Sequence, residues 1–329
     1  MKSTLSNMVG RTLLVFTFIL LFTKSFSQHF IFGGDKIKAE AGLNFGPTFF
    51  LGDLGGHRGK GTTFVKDVNI PLTKLMKGAF ISIYPNDWLG FRIAAQYTYV
   101  EGRDDIINTK GVDELWRKQR NLDFKSNMWE AYGAIEIFPT MLFRKYDDYD
   151  PRVKPYGFIG VGVFHFDPQG SLSDANGTKT WYKLHPLKTE GEGFPQYPNR
   201  KPYSLTQLNI PLGGGLKIAL SDRVNTAVEL LYRKTFTDYI DDVSTTVIDP
   251  NDFYLNLSPA DAAIASKIHD KTKGIVTPGV NRYPPGTQRG NPKNYDAYFS
   301  FVLKIGVQLG YNNSSERNTA RQTRCPHFY

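Results

Sequence analysis

One stretch of this chain leaves almost no choice of secondary structure. Across residues 295–310, one face reads Tyr295, Ala297, Phe299, Phe301, Leu303, Ile305, Val307, Leu309, and the other Asp296, Tyr298, Ser300, Val302, Lys304, Gly306, Gln308, Gly310. Apolar residues in strict alternation over that length specify a strand. The run is also about twice the ~5–6 residues of an ordinary strand. Ile37, Ala39, Ala41, Leu43 and Phe45 alternate with Lys38, Glu40, Gly42, Asn44 and Gly46. Leu89, Phe91, Ile93, Ala95, Tyr97 and Tyr99 alternate with Gly90, Arg92, Ala94, Gln96 and Thr98. Val228, Leu230 and Tyr232 face away from Glu229 and Arg233. Segments near 73–84, 123–138, 155–166 and 205–220 bring the expected count to eight strands. In the segment 155–166 both faces are apolar or Gly, so the pattern does not say which points inward.

The links between these segments carry a second rhythm. Pro85-Asn86-Asp87 and residues 221–224 are tight turns, and 139–152 is a medium link. The alternate links, 52–71, 101–121, 167–202 and 237–294, are long. In an up-and-down barrel, alternate links emerge on opposite rims. Short links on one rim and long links on the other are the layout of an eight-stranded antiparallel outer-membrane β-barrel, with periplasmic turns and extracellular loops. A soluble lipocalin-type barrel alternates in the same way. It needs an apolar lumen, however, and here the polar face carries charge. Lys38, Glu40, Arg92, Glu130, Glu136, Glu229, Arg233 and Lys304 are expected to pair inside the barrel. Tyr84, Trp88, Tyr97, Tyr99, Phe236 and Tyr295 fall near strand ends, where interfacial aromatic girdles belong.

Composition agrees with this and excludes other classes. Only 40% of the 329 residues are hydrophobic and mean hydropathy is −0.35, which excludes a polytopic helical membrane protein. Phe and Tyr number 24 and 18, beside 31 Gly and 19 Pro, a mixture that suits strands and turns and suits helix bundles badly. A single Cys excludes a disulfide framework and any multi-cysteine metal site. Basic residues exceed acidic ones by 40 to 31, without a concentrated stripe, so nucleic acid is not an expected partner.

Residues 1–27 read as a secretory signal peptide. Lys2 and Arg11 precede an apolar run from Leu13 to Phe22, and Ser25-Phe26-Ser27 supplies the small-x-small cleavage pattern. The alternative, an N-terminal membrane anchor, is disfavoured because the run falls short of the ~20 apolar residues of a spanning helix. The mature chain then divides into a barrel over 28–311 and a basic tail over 312–329, with both termini periplasmic and outer-membrane lipid around the wall.

Little in the sequence points to chemistry. No metal-ligand spacing occurs among the six His, and neither a cofactor nor a metal is expected. A lipid-modifying hydrolase would need a Ser/His/acid set on the barrel surface, for which His165 beside Asp167 is the sole hint. Asp147-Asp148-Tyr149-Asp150 lacks the Gly punctuation of a calcium loop and reads as a solvated turn. Gly213-Gly214-Gly215 follows a strand without opening a helix and reads as a kink or bulge. In the fourth long link, Ser258-Pro259-Ala260-Asp261 is a helix start. The tail ends Arg324-Cys325-Pro326-His327-Phe328-Tyr329. A lone Cys in an oxidising compartment is either a free thiol or half of an intermolecular disulfide. Its position near the end of an arm favours a cross-link or docking site.

Several of these stretches together resemble the PorG family, small outer-membrane barrels of the type IX secretion and gliding machinery of Bacteroidota. They are Glu40-Ala41-Gly42-Leu43-Asn44-Phe45-Gly46 leading to Leu51-Gly52-Asp53-Leu54, Tyr84-Pro85-Asn86-Asp87-Trp88, the run from Lys154-Pro155-Tyr156-Gly157 through His165-Phe166-Asp167-Pro168, and Arg324-Cys325-Pro326. The resemblance implies a non-enzymatic component that anchors a periplasmic ring of PorK and PorN type, a lipoprotein and a ring protein, to the outer membrane. It further implies a disulfide from Cys325 to the ring lipoprotein, with Arg317, Arg321, Arg324 and Pro326 in the docking arm. The long fourth loop departs from a minimal member of that family. Two other readings stand beside it: a stand-alone structural or adhesion barrel of the OmpA/OmpX type, and the lipid-modifying enzyme.

Overall fold

The eight alternating stretches become strands, joined by a ninth from the third long link, in the computed structural model, which describes residues 37–54, 70–107, 112–142, 151–221, 223–272 and 283–309. They are β1 (Lys38–Leu51), β2 (Lys74–Asn86), β3 (Leu89–Arg103), β4 (Asp123–Ile137), β5 (Val153–Ser173), β6 (Lys179–Lys183), β7 (Thr206–Ala219), β8 (Val224–Thr235) and β9 (Ala297–Leu309). Eight of them form a closed antiparallel ring in chain order, with β5 paired to β7. The ring shuts where β1 meets β9, from Ala39 opposite Leu309 to Leu51 opposite Ala297. Closure leaves no free edge in the wall, the condition for a sheet to lie in hydrocarbon. β6 stands outside the ring and pairs with the far end of β5, which is why β5 runs to 21 residues. The signal peptide, the acidic run 147–150 and the tail 312–329 lie outside the described residues.

The wall is apolar outside and polar inside. Ile93 is 73% exposed and Val161 65%, and Leu43, Ile81, Ile159, Leu208, Val228 and Phe301 also point outward. On the opposite face Glu40, Arg92, Glu130, Glu136, Glu229, Arg233 and Lys304 are all buried. A protein in water distributes these residues the other way round. The medium around this wall is therefore hydrocarbon, and the chain is an outer-membrane β-barrel. No helix among the described residues is long and apolar enough to cross a membrane; the strands cross it.

β5, whose orientation the alternation left open, turns Tyr156, Phe158, Phe164 and Phe166 inward and Ile159, Val161, Val163 and His165 outward. Between the inward aromatic pairs sit Gly160 and Gly162. A Cβ on Gly160 would lie 2.1 Å from the Gly133 carbonyl oxygen of β4, so only glycine allows this approach. Gly213-Gly214-Gly215 keeps unbroken register with both β5 and β8, which corrects the expected kink or bulge: the glycines make room rather than bend the strand. A Cβ on Gly213 would meet Leu230 O at 2.0 Å and the Phe158 ring at 2.8 Å.

One rim carries the short links: the β2–β3 turn at Asp87, residues 220–223, and 138–152 with α2 (Pro139–Leu142). The long links gather on the other rim. The second contains α1 (Val112–Arg120), the third β6 and a 3-10 turn at His185–Leu187, and the fourth α3 (Pro250–Asn256) and α4 (Pro259–Ile268). α4 begins as the sequence predicts, with Ser258 Oγ accepting from the Asp261 N–H at 3.2 Å and Pro259 in the first turn. α3, not expected from the sequence, opens with the Asp249 side chain accepting from Asn251 N–H at 2.9 Å. The pieces of the third and fourth links pack on one another through Leu184, Leu187, Phe194, Ile248, Phe253 and Ile268 to form a cap.

The inside-out wall predicts a specific mutational response. Ile93→Arg in the barrel reconstituted in lipid should lower the unfolding free energy by about 2–4 kcal/mol, the value for a cation near the bilayer midplane. Urea titration followed by heat-modifiable gel mobility checks this.

Candidate functional site in the barrel interior and loop cap

Charges that enter a closed wall must find partners inside it, because water does not reach them. Arg92 of β3 lies at the centre. Its guanidinium makes two bonds to Glu229 of β8, at 2.9 and 2.7 Å, and an ion pair with Glu136 of β4. Lys304 of β9 adds a second cation, 3.1 Å from Glu229 and 3.5 Å from Glu136. Tyr84 donates to Glu136 at 3.0 Å, and Tyr156 donates to Glu229. A second node surrounds Glu130, which accepts from Asn209 at 2.6 Å, from Gln96, and from Arg233 at 3.2 Å. A third joins Glu40 to Lys217 at 2.5 Å and Asn225 at 2.9 Å.

Aromatic rings fill the space between these nodes. Arg92 stacks 4.7 Å from the Phe158 centroid and Arg233 4.9 Å from Tyr298. The ammonium groups of Lys304 and Lys217 sit 4.0 Å over Phe80 and Tyr84. Toward the long-loop rim, Phe124, Met128, Phe164, Phe166 and Tyr298 form an apolar layer with Leu54, Ile240 and Val243 of the loops. The interior is thus occupied by its own side chains, as the narrow bore of eight strands requires.

The structure revises parts of the sequence reading. Lys38, expected in the lumen, lies at the short-turn rim, where it pairs with Asp87 at 2.8 Å; strand parity is right, but the position is beyond the end of the bore. Lys217 serves as the cation there and was missed, because Gly213-Gly214-Gly215 before it blurs the alternation of β7. Tyr84, assigned to the girdle, is buried inside. Tyr97 does stand on the outer face, packed on Trp129 with centroids 4.7 Å apart. His165 faces outward and bonds Thr206 Oγ1 at 3.0 Å, while Asp167 pairs with Lys183 at 2.8 Å; the two do not form a relay with each other. Among the described residues, no three His, Cys, Asp or Glu side chains could hold a metal ion. Arg317, Arg321, Arg324, Cys325 and Pro326 fall outside the described residues.

The cap has its own polar framework. Arg120 of α1 binds Asp104 at 2.8 and 3.0 Å and the carbonyl oxygens of Asp53 and Arg289 at 2.7 and 2.5 Å. One side chain thereby ties the first, second and fourth loops together. Arg289 in turn pairs with Glu190 at 2.8 Å and donates to the Asp242 carbonyl at 2.6 Å, bringing in the third loop. Asp242 accepts from Thr189 and Tyr203 at 2.5 and 2.6 Å. Burial pushes the Asp242 carboxyl up to about 6 despite Arg289. Glu192, buried beside Asp242 and Glu190, is pushed up to about 8.

Wall, interior and rims define an eight-stranded outer-membrane β-barrel with an ion-paired core and a packed loop cap. No family model matches the chain. It is 27% identical over 161 residues to outer membrane protein Omp38 of two Acinetobacter baumannii strains, covering 44% of this chain. The chain spans 40% of the length of these curated relatives. Among solved structures it is similar to Ail, the attachment invasion locus protein of Yersinia pestis, at 10% identity and TM-score 0.31, covering 83% of this chain and 99% of Ail. Outer membrane protein OprG from Pseudomonas aeruginosa matches at 11% identity and TM-score 0.32, covering 83% and 97%. A major outer membrane protein from Thermus thermophilus matches at 10% identity and TM-score 0.36, covering 82% and 99%.

The interior network predicts a large, partly reversible loss. Arg92→Leu leaves two buried carboxylates to share Lys304 and should cost about 3–5 kcal/mol of stability. The double change Arg92→Leu with Glu229→Leu should recover part of that loss, because one orphaned charge leaves with its partner. Urea titrations of the wild type, both single variants and the double variant measure the coupling.

Proposed function

We propose that this protein is a non-enzymatic outer-membrane barrel of the OmpA/OmpX kind, whose extracellular cap serves as a structural or adhesive surface. The observation that carries this reading is the contrast between its two ends. One rim has short turns, while the other carries four long links, of which the third and fourth pack into a folded body. The interior is filled by paired side chains, which suits a rigid mount better than a solute path. On the cap, Trp116, Tyr254 and Leu255 remain exposed, as surface-binding side chains would be. The partial likeness to Omp38 supports an outer-membrane role of this general kind.

A second reading, the secretion-machinery anchor, rests on the family resemblance and on one placement. Leu309, the last described residue, lies opposite Ala39 at the short-turn rim, which this reading takes as the periplasmic side. On this reading residues 312–329 dock the PorK/PorN-type ring, and Cys325 forms the disulfide to its lipoprotein.

One experiment separates the two. In the native host, residues 250–272 are replaced by a short Gly–Ser linker in one strain, and residues 312–329 are deleted in another. The surface reading expects the cap variant to lose attachment while its barrel stays heat-modifiable, and expects the tail deletion to have no effect on attachment. Unchanged attachment in the cap variant, with a reducible higher-mass band lost in Cys325→Ser, would instead establish the anchor.

A further inference from the structure

Barrel interior and cap obey opposite charge rules. In the interior network four carboxylates (Glu40, Glu130, Glu136, Glu229) meet four cations (Arg92, Lys217, Arg233, Lys304). Where the first, second and fourth loops meet, Asp53, Asp104, Asp238, Asp241 and Asp296 are all buried. Arg117 and Arg120 of α1 face Asp53, Arg120 is already bound to Asp104, and Lys271, which also faces Asp104, is bound to Asp123. Glu190, the nearest carboxylate of the third loop, is matched by Arg289.

Three of these carboxylates stitch the loops together through backbone N–H groups. Asp241 accepts from Leu54 at 2.9 Å and from Val243 at 3.1 Å. Asp53 accepts from Asn291 at 2.5 Å, and one oxygen of Asp296 accepts from Ile240 at 2.8 Å. Three oxygens are left over. Among the described residues, Asp296 Oδ1 and both oxygens of Asp238 accept no hydrogen bond of ordinary length, although Asp296 is 1% exposed and Asp238 4%. Gly52 closes over the Asp296 oxygen so tightly that a Cβ there would lie 2.5 Å from it.

A carboxylate buried without a partner takes up a proton or a cation. Among the described residues the carboxylates are not grouped as a metal ion would require, and Asp238 and Asp296 face further carboxylates, which favours the proton. We propose that the junction of the first and fourth loops is a proton-held latch, in which Asp238 and Asp296 are protonated while the cap is closed and lose their protons as the loops part at alkaline pH. This goes beyond the surface role proposed above and holds whichever partner the cap meets.

The electrostatics run in the same direction. Burial, then the neighbouring Asp53 and Asp241, pushes Asp238 up to about 9, against the nearby Ser244 hydroxyl. Burial, Asp241, Asp238 and Asp53 hold Asp296 well above the usual carboxylate range, and burial raises Asp241 and Asp53 despite Arg120. Parted loops would return these groups to the ordinary Asp value of ~3.9. The closed cap therefore binds protons that the open cap releases. Its advantage is complete at low pH and is lost as pH climbs toward 9. For each proton released, the opening constant rises about tenfold per pH unit in that window.

The test uses the full chain in lipid vesicles between pH 6 and 10. Subtilisin cleavage within residues 236–296 reports opening, and heat-modifiable mobility shows that the wall stays folded. Cleavage should accelerate steeply toward pH 10 in the wild type. Asp238→Asn, a neutral mimic of the protonated side chain, should flatten the rise or move it to higher pH. Infrared spectra at pH 7 should contain a protonated-carboxyl band that weakens in Asp238→Asn. If that variant does not fold, Asp296→Asn gives the same reading, and the wild-type band and pH profile remain decisive. Cleavage that ignores pH, or absence of the protonated band, overturns the latch. Protection by added calcium at constant pH also overturns it, in favour of a bound cation.

Discussion

The Arg92 guanidinium, held between Glu136 and Glu229 with Lys304 alongside, is the interaction on which the rest of this structure depends. A wall that faces hydrocarbon must turn its polar residues inward, and a bore of eight strands is too narrow to hydrate them. Each buried carboxylate then needs a cation from another strand. Because Arg92, Glu136, Glu229 and Lys304 come from β3, β4, β8 and β9, the network can form only when the ring is closed. Charge pairing in the core and closure of the β1–β9 seam are thus one event described from two sides. Buried ion pairs give little net stability over apolar packing; their effect here is to fix which strands meet and in which register.

Glycine has a matching role. Four arginine and lysine side chains, with the Tyr84, Tyr132, Tyr156, Phe158 and Tyr298 rings, leave little free volume inside the wall. Gly160, Gly162 and Gly213 supply it by bringing bare backbone up to the neighbouring strand or ring. Sequence text that reads as featureless, Gly157 to Gly162 and Gly213 to Gly215, is where the large side chains of other strands are accommodated.

This explains which features were legible beforehand. The alternation of β9 and β3 is written in residues that face lipid on one side and ion pairs on the other, so it survives reading residue by residue. β5 was ambiguous because its inward positions are glycine or aromatic instead of charged. Lys38 has the parity of an inward residue, but parity does not tell where the bore ends, and it reaches Asp87 at the rim. Lys217 is the converse case, an inward cation hidden behind three glycines. β6 could not be separated from its loop, since five residues with no apolar face acquire strand geometry only from the extension of β5. The cap was the least visible part. Asp53, Asp104, the pair Asp238 and Asp241, and Asp296 are distant in sequence and come together only when the long links fold over one rim, each looking like an ordinary loop acid until then. The tail's Cys325 and arginines lie outside the described residues.

The central claim, an inside-out wall with a paired interior, is tested most directly by spin labels placed one at a time along β9, from Ser300 to Val307, in lipid vesicles. Collision rates with oxygen, which concentrates in lipid, and with a water-soluble nickel reagent report each site's surroundings. The account predicts strong oxygen contact at 301, 303, 305 and 307, with little contact from either reagent at 300, 302 and 304. Nickel access at the odd positions, or high oxygen contact at the even ones, would contradict it.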